Sequence, residues 1–147
     1  MPLVCRTRKI IFGIHDPVGV HYLFQLRLGL SPLYPHKRRY NFADTPSDCC
    51  SSDEGIEDVN HFILDCSNFI NERVVLLLEV NNIFRNNRIF TDLEKSDIYL
   101  YGHHELSYSA NEKLLLATIN FIKCSKRISS WCNSSPPSIL PSAHLGV

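Results

Sequence analysis

Apolar positions along this chain recur every three or four residues and seldom alternate, so helix is the expected element almost throughout. Asp16-Pro17 supplies an N-cap followed by proline at the first helical position, and it opens VGVHYLFQLRLGL. Val20, Leu23 and Leu26, with Phe24 and Leu30, form the apolar stripe of that helix, and Gly29 is its natural stop. Ser31-Pro32 repeats the start signal for a short second helix, LYPHKRRYN, with Pro35 standing awkwardly inside it. Beyond a Pro- and Ser-containing loop, Asp58 is placed to cap VNHFILDC and Ser67 to cap NFINERVVLLLEVNNIF. Thr91 with Glu94, and Ser109 with Glu112, have capping-box spacing. The last of these helices, LLLATINFIKCSKRI, carries Leu115, Ile119 and Ile122 on one face.

The pattern therefore predicts a mainly α fold of five or six helices around one core, with one irregular Cys/His loop on the outside. Residues 1–11 read as a flexible N-terminal segment, 12–128 as the helical domain and 129–147 as a disordered tail. The tail, SSWCNSSPPSILPSAHLGV, is rich in Ser and Pro and has no helical period.

Composition changes this picture little. Apolar residues make up 44% of the 147, enough for a packed core without obligatory staples. Lys plus Arg and Asp plus Glu number 15 each, so attraction to nucleic acid or membrane has to come from local patches. The apolar runs VVLLLEV and LLLATINFI fall well short of the roughly 20 residues a bilayer needs. The run at Ile10 to Phe12 is too short for a secretory signal. An intracellular location, in cytoplasm or nucleus, is the expectation, and there six cysteines read as thiols or metal ligands before disulfides.

Candidate chemistry concentrates in DTPSDCCSSDEGIEDVNHFILDC, where Cys49, Cys50, His61 and Cys66 follow a Cys-Cys-x10-His-x4-Cys spacing. One Zn2+ bound by Cys and His ligands is the cofactor this composition suggests. The His-x4-Cys half fits. The doublet fits less well, because adjacent side chains diverge and one sulfur of the pair should point away. Asp48, Asp53 or a water are the candidates for a fourth ligand, and the acids Asp53, Glu54, Glu57 and Asp58 supply the wrong charge to offset thiolates. The plainer alternative leaves Cys49 and Cys50 in an exposed loop and His61, Phe62 and Cys66 in the core of a short helix.

Arg27, Lys37, Arg38 and Arg39, interleaved with Tyr34, His36 and Tyr40, form the best basic cluster. It reads either as a solvated helix face or as a phosphate-tracking surface with an aromatic to stack a base. Lys123, Lys126 and Arg127 are favourable charges at a helix C-terminus. His103-His104-Glu105 lacks metalloprotease spacing and reads as loop, and Cys5, Cys124 and Cys132 share no motif.

Taken in order, LFQLRLGLSPL, NFADT, the Cys/His segment with HFILDC-SNFINER, DIYLYG and LLLATINFI resemble the C-terminal region of non-LTR (LINE-type, jockey-like) retrotransposon reverse transcriptases, over roughly residues 12–128. The resemblance implies an arginine-bearing helix, a Cys/His knuckle and a helical tail. By it, Cys50 or Cys49 takes a first-pair position, His61 the histidine position and Cys66 the last. It further implies contact of the Arg27, Lys37, Arg38, Arg39 and Tyr40 region with RNA or DNA, as part of a longer reverse transcriptase polyprotein. The chain departs from the family's Cys-x-Cys-Gly, since its cysteines are adjacent and Gly55 comes five residues after Cys50. The family's Tyr-x-Asp-Asp metal-binding turn is absent, so a non-catalytic fragment is expected. A metal-free helical remnant, structural or protein-interacting, is the alternative.

Overall fold

A computed structural model describes residues 9–42, 47–85 and 89–129. Five α-helices lie wholly within the described residues: α1 (Pro17–Leu28), α2 (Tyr34–Arg39), α3 (Ile70–Ile83), α4 (Asp92–Tyr101) and α5 (Tyr108–Ser125). A π-helical turn (His61–Asp65) and a 3-10 turn (Ser67–Phe69) precede α3. No strand forms among the described residues beyond an isolated antiparallel bridge, Cys49 to Ile56. Mainly α architecture with an irregular Cys/His loop is thus observed, and no described helix is long and apolar enough to cross a membrane.

The long helix α5 is the centre, with α1, α3 and α4 packed around it. Its buried face carries Leu114, Leu115, Thr118, Ile119, Phe121 and Ile122. At Gly19 of α1 an added Cβ would lie 2.2 Å from Ile119, so this glycine lets α1 lie directly on α5. Leu23 and Leu26 of the expected stripe are buried, whereas Phe24 and Leu30 remain partly exposed. Residues 9–13 are helical and add Ile10 and Ile11 to the core. Residues 1–8 and 130–147, including most of the expected tail, lie outside the described residues.

The caps show where local chemistry sets the elements. The Asp16 carboxylate accepts the Gly19 N–H at 2.9 Å, and Gly29 ends α1 in the left-handed region at φ 67°. Thr91 and Glu94 complete the expected capping box. Ser107, not Ser109, caps α5: its hydroxyl accepts the Ala110 N–H at 3.1 Å, and Ser109 already lies inside the first turn. Pro35 falls in the first turn of α2, where its missing N–H costs nothing. Ser31 caps no helix; its hydroxyl bonds the buried His36 Nδ1 at 2.7 Å. Nor does Ser67 cap α3, since the 3-10 turn intervenes.

Candidate metal centre

The site begins with Asp58, whose carboxylate accepts the His61 N–H at 2.8 Å and starts the next turn as expected. That turn is π, closed by the Cys66 N–H to the His61 carbonyl at 2.8 Å. In an α-helix, residues five apart point about 140° away from each other. The wider i→i+5 turn brings them towards the same side. Phe62, within the turn, is anchored in the core against Phe69 and Phe121, each ring centroid 5.2 Å away.

Closing the turn leaves carbonyls without partners, and Arg73 of α3 takes them. Its Nε donates to the Ile63 carbonyl at 2.8 Å, and a terminal nitrogen donates to Phe62 at 3.3 Å and Cys66 at 2.8 Å. Burial lowers the pKa of this guanidinium, while Cys66, Asp65, Glu54 and Glu72 oppose that shift. Nothing in the NFINER spacing singles out this arginine.

The other half of the site is a hairpin. Cys49 pairs with Ile56 through the backbone, the Cys50 N–H donates to the Gly55 carbonyl at 2.9 Å, and the Asp53 N–H donates back to Cys50 at 3.0 Å. Successive residues on extended backbone point to opposite sides, so the doublet separates. Cys50 joins the cluster and Cys49 does not.

Potential ligand atoms of Cys50, Glu54, His61 and Cys66 all lie within 4.8 Å of one another, a set able to hold a metal ion. His61 Nε2 is 3.2 Å from the Cys50 sulfur, and the Ser52 hydroxyl stands 3.0 Å from Cys50 and 3.8 Å from Cys66. Cys50, His61 and Cys66 are therefore brought together as expected. The fourth member of the cluster is Glu54, and not Cys49, Asp48 or Asp53. Glu54 is further held by the Ser67 N–H at 3.0 Å.

The feared excess of negative charge is largely committed elsewhere. Glu57 is buried in an ion pair with Arg127 at 2.5 Å and accepts the Tyr34 N–H at 2.9 Å, while Asp58 is the cap just described. Arg127 is thus a strut between loop and α5, beyond its expected role at a helix end. Burial would raise the Cys50 thiol, but hydrogen bonds from Ser52, the Glu54 N–H, His61 and the Gly55 N–H prevail and hold it at about 6. Burial pushes the Cys66 thiol up, opposed by the Asn68 N–H and Ser52.

The expected nucleic-acid face is partly dismantled. Arg27 donates through Nε to the Leu100 carbonyl at 2.8 Å, bonds it again through a terminal nitrogen, and lies over the Tyr101 ring at 4.7 Å. Lys37 is buried, its ammonium 5.7 Å from the Phe42 ring. Arg27 is thus half-buried and committed to a carbonyl, and Lys37 is buried, where the sequence reading has both on an open basic face. Arg38, Arg39 and Tyr40 stay exposed, with Arg38 paired to Asp48 at 3.1 Å beside the Cys/His loop. In HHE, His103 is buried, its N–H donating to Asn111 at 2.8 Å. No family model, curated protein or solved structure matches the chain.

Proposed function

We propose that this chain is a non-catalytic helical module whose loop is closed by one Zn2+, and that it binds single-stranded nucleic acid beside that loop. The observation that carries the reading is the convergence of Cys50, Glu54, His61 and Cys66 within 4.8 Å. Two sulfurs and an imidazole are donors that zinc takes in structural sites, with a carboxylate oxygen as an acceptable fourth. Tetrahedral bonds of about 2.0–2.3 Å space the donors roughly 3.3–3.8 Å apart. The contact of 3.2 Å between His61 and Cys50 is already near that range. Bound zinc would supply a crosslink between hairpin and π turn. The chain's own residues do the rest: backbone N–H groups at Glu54 and Gly55 offset the charge of Cys50, and Arg73 fixes the turn that carries His61 and Cys66.

The ordered resemblance to LINE-type reverse transcriptases supports a setting within a longer polyprotein, and with it an RNA or DNA partner. Arg38, Arg39 and Tyr40 at the end of α2 are the residues exposed for that contact, Arg38 by exchanging its Asp48 partner for a phosphate. Two phosphate contacts give single-stranded RNA affinity that falls with salt at a log–log slope of about −1.4. Replacing both arginines with Ala flattens it; an unchanged slope rejects this face. Zinc content of reduced, chelator-free protein should be close to one ion per chain and vanish in His61→Ala. Less than about 0.2 per chain rejects the metal.

A second reading, a metal-free remnant, draws on one observation: Ser52 bridges the two sulfurs and His61 bonds Cys50, so the thiols have polar partners without an ion. That reading expects a thermal midpoint indifferent to chelator.

A further inference from the structure

The same cluster holds two sulfurs that share more than a prospective metal. The sulfurs of Cys50 and Cys66 lie within 4.8 Å of each other, with Ser52 between them and His61 against Cys50. Cys49 is turned out of the group by its bridge to Ile56, and Cys124 lies exposed on α5. The two sulfurs also come from structures of unequal firmness. Cys66 is completely buried, and its carbonyl is clamped by Arg73. Cys50 sits in a hairpin whose links to the segment after the π turn, Ser67 N–H to Glu54 and Asn68 to Ser51, are exposed, and whose buried anchor is Glu57 at its far end. Closing to the ~2.05 Å of an S–S bond therefore asks the hairpin to move while the π turn stays.

We propose that Cys50 and Cys66 are a thiol–disulfide pair, joined by hydroperoxides, and that this disulfide and the metal ion exclude each other. The exclusion rests on the metal reading above; the pairing does not. In the first step the Cys50 thiol reacts with a hydroperoxide: the O–O bond breaks, one oxygen leaves as the alcohol or water, and Cys50 becomes a sulfenic acid. In the second, the Cys66 sulfur attacks the Cys50 sulfur, the S–O bond breaks, and water carries off the oxygen with the Cys66 proton. The two sulfurs together lose two electrons and the peroxide gains them. Neither disulfide sulfur remains a thiolate, so two of the four ligands are lost together.

The test treats full-length, metal-free, reduced protein with hydrogen peroxide and maps the linkages by mass spectrometry. A loss of about 2 Da, with Cys50 and Cys66 in one linked peptide and Cys49 and Cys124 still alkylatable, is expected. A Cys49→Ser, Cys124→Ser double variant should form the same link. In Cys66→Ser, Cys50 should accumulate as a sulfenic acid trapped by dimedone. Zinc affinity of the oxidised chain should fall at least about 100-fold and return on reduction. A link through Cys49, or over-oxidation without any Cys50–Cys66 link, overturns the pairing. The link formed in a chain whose reduced form binds no zinc overturns the metal reading while upholding the pairing. Zinc bound equally by reduced and disulfide forms overturns the exclusion.

Discussion

Two polar clusters lie against α5 and are built on opposite principles. At the junction with α4, the side chains are spent on the main chain: Thr118 donates to the Tyr99 carbonyl at 2.8 Å, and Asn111 donates to the His103 carbonyl at 3.1 Å while accepting its N–H. In the Cys/His loop, the side chains of Cys50, Glu54, His61 and Cys66 point at one another. The first arrangement consumes hydrogen-bonding capacity and leaves nothing for a ligand. The second gathers donors around a point, and its own main chain is satisfied by a separate residue, Arg73. Both clusters hold buried groups that need partners, Cys50 and Cys66 in the second; the direction in which they aim separates support from site.

The comparison breaks most sharply at Arg73. Arg73→Met should cost about 3–5 kcal/mol in urea unfolding, since three buried carbonyls lose their donor, and it should weaken zinc binding because the π turn relaxes. Asn111→Ala should cost about 2 kcal/mol and leave the zinc stoichiometry at that of the wild type. An Asn111→Ala protein that lost its metal would erase the distinction between the clusters.

Chelation sharpens the same contrast. Zinc held at 100 times its dissociation constant adds about 2.7 kcal/mol. Chelator should therefore lower the urea midpoint of wild type and Asn111→Ala equally, and that of Cys66→Ser not at all.

The smallest effect concerns a feature distant from both clusters. Lys123 bonds the Asp16 carboxylate at 2.8 Å, and with the Gly19 N–H it holds that carboxyl below its usual pKa against a slight opposing burial. A folded value below the unfolded one means that the contribution is full above the unfolded pKa and is lost as pH falls through the folded one. The stability difference between wild type and Asp16→Asn should stay constant above about pH 5 and narrow below about pH 4.

Helix starts and stops were legible wherever one residue decides them, as at Asp16, Gly29, Asp58 and Thr91. They were misassigned where two serines compete, Ser107 against Ser109, because the choice depends on where the preceding loop delivers the chain. His61, Cys66 and one cysteine of the doublet were legible from spacing as members of one cluster; that the cysteine is Cys50 was not. Glu54 was not, because one acid among four carries no sign of its direction until the hairpin is folded. Arg73 and the π turn leave no periodic trace, and Arg27 and Lys37 look like surface charges until α4 and Phe42 cover them.

The proposed zinc site requires Cys50, and not its neighbour Cys49, as a ligand with His61 and Cys66. Zinc titration of reduced Cys49→Ser and Cys50→Ser, side by side, addresses it most directly. Cys49→Ser should bind one ion per chain with wild-type affinity, and Cys50→Ser should bind at least about 100-fold more weakly. Equal binding by the two variants, or loss in Cys49→Ser alone, would contradict the account.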